Sequence, residues 1–182
     1  MTCPADRATM ERDFTKEFIH HSVNRMEENT TKILKCFAAL DEKDVWIFPN
    51  ESSNSIGNLA LHLCGNIRQY ILSGMGNLED IRERDKEFSV KGGFAKAELL
   101  LRLNETTATA ISIIKKSAPE SLLEFRTVQG FTLSGLGIIY HVIEHFSYHT
   151  GQIIFFTKLI KNKDLGFYAG IDLNKKNRSA AE

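Results

Sequence analysis

With 182 residues, 42% of them hydrophobic and 25% charged, the chain has the size and composition of one globular domain with its own core. Its 23 basic and 23 acidic residues cancel, which excludes wholesale attraction to nucleic acid or to an anionic membrane. No run approaches the length and apolarity of a membrane span.

The opening MTCPADRATMERDF lacks the apolar core of a secretory signal, so the expectation is a cytoplasmic protein. Cys3, Cys36 and Cys64 are odd in number and show no C-x-x-C spacing, as expected for reduced thiols. The first periodic segment, about Thr9 to Leu40, carries Phe14, Phe18, Val23, Met26, Ile33, Leu34 and Phe37 at helical spacings, predicting a helix over Phe14–Leu40. A polar join, DEKDVWIFPNESSN, follows it. The second helix is predicted over Ile56–Leu72, with Asn54 as its N-cap and the glycines of SGMG as its stop. NLEDIRERDKEF reads as a charged connection. The third helix is predicted over Ala97–Lys115, ahead of Pro119. LLEFRTVQGFTL reads as a short β-ribbon or a long loop, and a fourth helix is predicted over Leu136–Leu159.

Four long amphipathic segments without a set of strands imply an all-α fold, a four-helix bundle forming a single domain over residues 1–182. The joins are longer than the 2–8 residues or so of an up-down bundle, so at least one connection crosses the bundle.

Half of the six histidines fall in HVIEHFSYH, at His141, His145 and His149. Residues four apart on a helix are separated by about 6 Å of rise and roughly 40° of rotation, so two imidazoles at that spacing can share an ion. Residues eight apart are separated by about 12 Å, too far for one ion on a straight helix. The pair is therefore either His141 with His145 or His145 with His149. The first pair, with Glu144, matches the inverted zinc-peptidase pattern H-x-x-E-H. That class resembles large chains whose third ligand lies many tens of residues downstream, and here the last acid after His145 is the terminal Glu182.

The second pair needs a third ligand from elsewhere, and His62, inside LALHLCGN, is the strongest candidate. Cys64 is about 200° from His62 on the helix and reads as packing. His20 and His21 are adjacent and read as solvent positions. Glu17 and His20 form a lone E-x-x-H, whereas a di-iron carboxylate bundle needs two. Asn58 and Asn66, at i−4 and i+4 from His62, are candidates to orient a ligand or to bond between helices; Glu144 projects about 100° from His145 and is a weak general-base candidate.

NSIGNLALHLCGN and EHFSYHTGQI, in this order and about 80 residues apart, resemble the DinB-like superfamily, which includes YfiT-type proteins described as metal-dependent hydrolases and thiol S-transferases. The resemblance covers roughly Phe14 to Leu159. It implies a four-helix bundle with long crossovers, and one divalent ion (zinc, nickel or iron) held by His62, His145 and His149, with His141 the odd one out. It further implies a small-molecule substrate, such as a low-molecular-weight thiol, activated for S-transfer or hydrolysis. The alternative is a non-catalytic metal-bound module acting as a homodimer. Thr150 stands where many relatives carry the arginine that follows the last histidine.

Overall fold

In the computed structural model, which describes residues 13–177, the four predicted segments are helical. They are α1 (Phe14–Ala39), α2 (Ile56–Ile67), α4 (Lys96–Lys115) and α6 (Gly135–Lys161). Two shorter helices, α3 (Arg84–Ser89) and α5 (Pro119–Leu123), lie in the connections, as does a hairpin of β1 (Phe125–Val128) and β2 (Phe131–Ser134). Residues 9–12 of the first segment, Cys3 and the last five residues lie outside the described part. Among the described residues, no helix is long and apolar enough to cross a membrane.

Local chemistry accounts for the ends. Asp13 caps α1 by accepting from Lys16 N, and Ser134 caps α6 by accepting from Gly137 N. At α2 the cap is Ser55, one residue beyond the expected Asn54. Ser55 and Asn58 form a reciprocal capping box there: the Ser55 hydroxyl accepts from Asn58 N, and Asn58 Oδ1 accepts from Ser55 N. The helix does not continue regularly to Leu72. From Arg68 to Ser73 it widens to a π-helix, in which Gly74 N donates to Gln69 O. The ribbon expectation holds for FRTVQGFTL: Phe125 pairs with Ser134 and Val128 with Phe131. Gln129 and Gly130, both at positive φ, make the tight turn between them.

Helix directions follow from the contacts between chain ends. Asn29 Nδ2 donates to Ser147 Oγ at 2.8 Å, and Lys161 reaches Asp41 and Asp44 just beyond α1, so α1 and α6 run parallel. His62 meets His145 while Tyr70 Oη meets Gln129, so α2 and α6 are antiparallel. Lys96 Nζ bonds Leu40 O and Lys115 pairs with Glu27, making α4 antiparallel to α1. Gly76 lies against Ile113, and Cys64 neighbours Thr106, so α2 and α4 are parallel. Successive helices α2 and α4 therefore point the same way, and the chain between them must travel back along α2. This is the crossover anticipated from the loop lengths, and α3 lies on it.

The core gathers Met26, Ile33, Phe37, Leu63, Ile67, Leu103, Ile138 and Phe146 from all four long helices. Cys36 is buried in that core, and Cys36 and Cys64 are both free thiols. Phe37→Ala should cost about 3–5 kcal/mol, as an emptied aromatic site does. The urea midpoint should drop accordingly while the helical dichroism of the folded baseline stays unchanged.

Candidate metal centre

Three imidazoles converge between α2 and α6. One nitrogen from each of His62, His145 and His149 lies within 4.8 Å of the others. The i,i+4 spacing on α6 aligns His145 and His149, and antiparallel packing sets α2 so that His62 faces both. His62 Nε2 and His145 Nε2 are 2.9 Å apart. The rings meet edge to face, with centroids 4.9 Å apart for His62 against either partner and 4.4 Å between His145 and His149.

The outer nitrogens of two rings are already engaged. His62 Nδ1 donates to Glu87 Oε2 at 2.8 Å, and His149 Nδ1 donates to Gln152 Oε1 at 2.6 Å. With the proton on Nδ1, each ring turns its Nε2 lone pair inward. A cation needs that donor set, and the residues present fit one.

Glu87 is itself bound by Arg82. Arg82 Nε reaches Glu87 Oε1 at 2.8 Å, and its Nη2 reaches Oε2 at 2.9 Å, a two-point fork. Arg82 Nη1 also donates to Gln69 Oε1, and the Arg82 side chain is only 2% exposed. Arg82 Nη2 lies 3.2 Å from His62 Nδ1 as well, but both are donors once Nδ1 carries its proton. The nearer carboxylate is the partner. Burial raises the Glu87 carboxyl, and the bonds from His62 and Arg82 outweigh it, holding the group below the usual glutamate range. Neither residue stood out in a segment read as a charged connection. The only signal was the density of opposite charges in EDIRERDKE, which a solvated loop shares.

The remaining candidates fall elsewhere. Asn58 is fully buried, and its amide is spent on structure: Oδ1 accepts from Ser55, and Nδ2 donates to Glu87 O at 2.9 Å and Val90 O at 2.7 Å. It takes the bonding role rather than the ligand-orienting one and ties the α3 segment onto α2. Asn66 Nδ2 stands 3.5 Å from His141 Nε2, and its buried Oδ1 has no partner among the described residues. Glu144 is solvent-exposed on α6. His141 lies tilted against Tyr70, at 4.4 Å between centroids, and stays outside the three-histidine cluster. His20 and His21 are exposed on α1, and among the described residues no cysteine joins the cluster. Thr150 is buried and donates to Phe146 O at 2.7 Å.

The DUF1572 family, described as proteins of unknown function, matches residues 13–170. The chain belongs to this family. No curated protein matches the sequence. Solved structures similar to this DUF1572 member include a conserved protein from Enterococcus faecalis, at 14% identity and TM-score 0.65, covering 79% of this chain and 97% of that one. A DinB-like protein from Bacillus cereus aligns at 16% identity and TM-score 0.63, covering 80% and 91%. The DinB-like protein YjoA of Bacillus subtilis aligns at 14% identity and TM-score 0.58, covering 79% and 91%. At these identities the likeness is one of fold, and the fold of this DUF1572 protein is DinB-like.

Electrostatics favour uncharged rings. Burial, and then the neighbouring histidines His149, His62 and His141, push His145 down to about 3. Burial also lowers His149, partly offset by its bond to Gln152, and lowers His141. In the unfolded chain these rings take up protons near pH 6.5, well before the folded protein does. Metal-free protein should therefore be most stable at and above about pH 7 and lose stability continuously as pH falls through 6 and 5. Urea midpoints across that range check the slope, and His145→Leu should flatten it.

Proposed function

We propose that this protein is a metal-dependent enzyme of the DinB-like type: a four-helix bundle with long crossover connections. It holds one divalent ion on His62, His145 and His149 and acts on a small molecule by hydrolysis or S-transfer. The convergence of three imidazoles from two helices, within 4.8 Å of one another, carries the reading. Zinc, nickel and ferrous iron all suit such ligands. When bound, the ion keeps its full charge against three neutral ligands and lowers the pKa of a water or a low-molecular-weight thiol.

The chain's own residues supply the setting. Phe88 packs on His62, at 4.7 Å between centroids, and Tyr148 edges onto His149 at 5.0 Å, which limits water around the rings. Gln152 links His149 to a cavity of about 440 Å³ lined by Leu59, Phe155, Phe156 and Leu159 and by Asn50, Ser52, Ser53 and Asn54. No charged side chain lines it, so it suits the uncharged, partly apolar body of a substrate. The buried Oδ1 of Asn66 can accept a hydrogen bond from an enclosed water. Thr150 already donates to the backbone, so a thiol cofactor's carboxylate would need another partner than the arginine found here in many relatives.

One observation favours the second reading, a metal-bound module acting as a cytoplasmic homodimer. Tyr140, Tyr148, Phe155 and Leu159 are exposed along one side of α6, and Gly151 between them has open space around its Cα. Phe155 and Leu159 serve either the cavity or a partner, so the readings compete for the same side chains.

Protein purified without a nickel column should carry about one equivalent of divalent metal by elemental analysis. His62→Ala, His145→Ala and His149→Ala should each lose it on dialysis, and His141→Ala should keep it. Chelation should leave helix content intact, because the core is packed without the ion, and should abolish turnover in a screen of thiol conjugation and ester or amide hydrolysis. Metal retained by His149→Ala, or full turnover by chelated protein, would refute the enzyme reading.

A further inference from the structure

A carboxylate and a guanidinium from a surface crossover are buried against α2, where apolar side chains would pack at less cost. Desolvating such a pair cancels much of its attraction, so its presence is weak evidence for stabilisation. Its geometry is specific instead. Both carboxylate oxygens of Glu87 are taken by the Arg82 fork, and Oε2 has one further bond, to His62 Nδ1. Arg82 is anchored in turn by Gln69 on the π-helical turn, and the backbone carbonyls of Glu87 and Val90 are clamped by Asn58. Room for the carboxylate exists because residue 65 is glycine. A Cβ there would overlap Glu87 Oε1 and lie 2.7 Å from its Cδ.

We infer that Glu87, held by Arg82 and admitted by Gly65, is the positioning residue that fixes His62 as an Nε2 donor to the ion, so that metal occupancy and the docking of residues 79–90 on α2 stabilise each other. This inference rests on the metal reading above. Free histidine favours the tautomer with its proton on Nε2, which would aim an N–H at the site. The carboxylate reverses that choice by accepting from Nδ1. A cation on Nε2 polarises the ring and makes Nδ1–H a stronger donor, tightening the bond to Glu87. By linkage, whatever docks Glu87 more firmly raises metal affinity by the same factor.

Histidine-selective nitrogen NMR on metal-free, unmodified protein at neutral pH should show His62 protonated on Nδ1 and bare on Nε2. Adding zinc should slow hydrogen exchange of the amides in residues 82–90. Glu87→Gln keeps the shape and removes the charge, and should weaken zinc binding by about 10–100-fold in a chelator competition. Gly65→Ala, with every charge retained, should weaken it as well by displacing the carboxylate. A merely structural pair would lower the melting temperature and leave both the tautomer and the zinc affinity of folded protein unmoved. An Nε2–H tautomer at His62, or a folded Glu87→Gln protein whose zinc affinity stays within about twofold of the parent, overturns the inference while leaving the metal centre standing. If Glu87→Gln does not fold, the tautomer in the parent protein decides. Parent protein that binds no zinc, nickel or iron overturns the metal reading, and this inference with it.

Discussion

The parallel course of α2 and α4 is the constraint on which most of the molecule depends. α2 with its π-helical extension covers residues 56–73, about 27 Å at the helical rise. A chain that leaves one end and enters α4 at the other must run that distance along the surface. The crossover is bound to α2 by Asn58, Gln69 and His62, three polar side chains on one stretch of helix. It delivers Glu87 to the outer nitrogen of His62. A tight α-hairpin at the same place would leave that nitrogen to water.

The histidine seam depends on the opposite relation, the antiparallel contact of α2 with α6. Two rings on α6 are aligned by helical pitch alone, but the third must come from a helix whose phase places residue 62 inward. The neighbours of His62 divide accordingly. Asn58 and Asn66 lie within about 40° of it and are buried. Leu61, Cys64, Gly65 and Arg68 turn toward a second cavity of about 520 Å³ behind the Arg82–Glu87 pair, which no histidine lines. Cys64 sits against that cavity with its thiol pushed up to about 12 by burial, which disfavours the thiolate.

Burial and charge are balanced at the centre in an uneven way. His62 and His149 each have a hydrogen-bond acceptor for the outer nitrogen, whereas His145 has no such partner among the described residues, and burial and its neighbours drive it to the neutral form. Three imidazoles gathered in a half-buried seam lose water on folding. A group that accepts their lone pairs would offset that cost. The acidic and basic groups nearby do not take that role, because Glu87 and Arg82 neutralise each other one bond further out.

Apolar periodicity, glycine stops and scarce prolines were enough to place the four long helices within a few residues of their ends, since helical phase is a local property. The same arithmetic showed that two of the three clustered histidines could share an ion, and which cysteine faced away. Loop length alone told that a crossover existed. What the crossover does was not legible: NLEDIRERDKEF looks solvated in any local window, and only packing along α2 buries Arg82 and Glu87 against His62. The shift of the α2 cap from Asn54 to Ser55 accompanies Asn58 bonding both back to Ser55 and across to Val90, and the π-helical turn at Arg68–Ser73 was not legible in the periodicity. Sequence by itself determined which residues offer lone pairs and on which helices they stand. Tertiary structure decided which nitrogen His62 presents, because the partner that holds its other nitrogen comes from 25 residues away along the chain, whereas His149 finds its partner, Gln152, on its own helix.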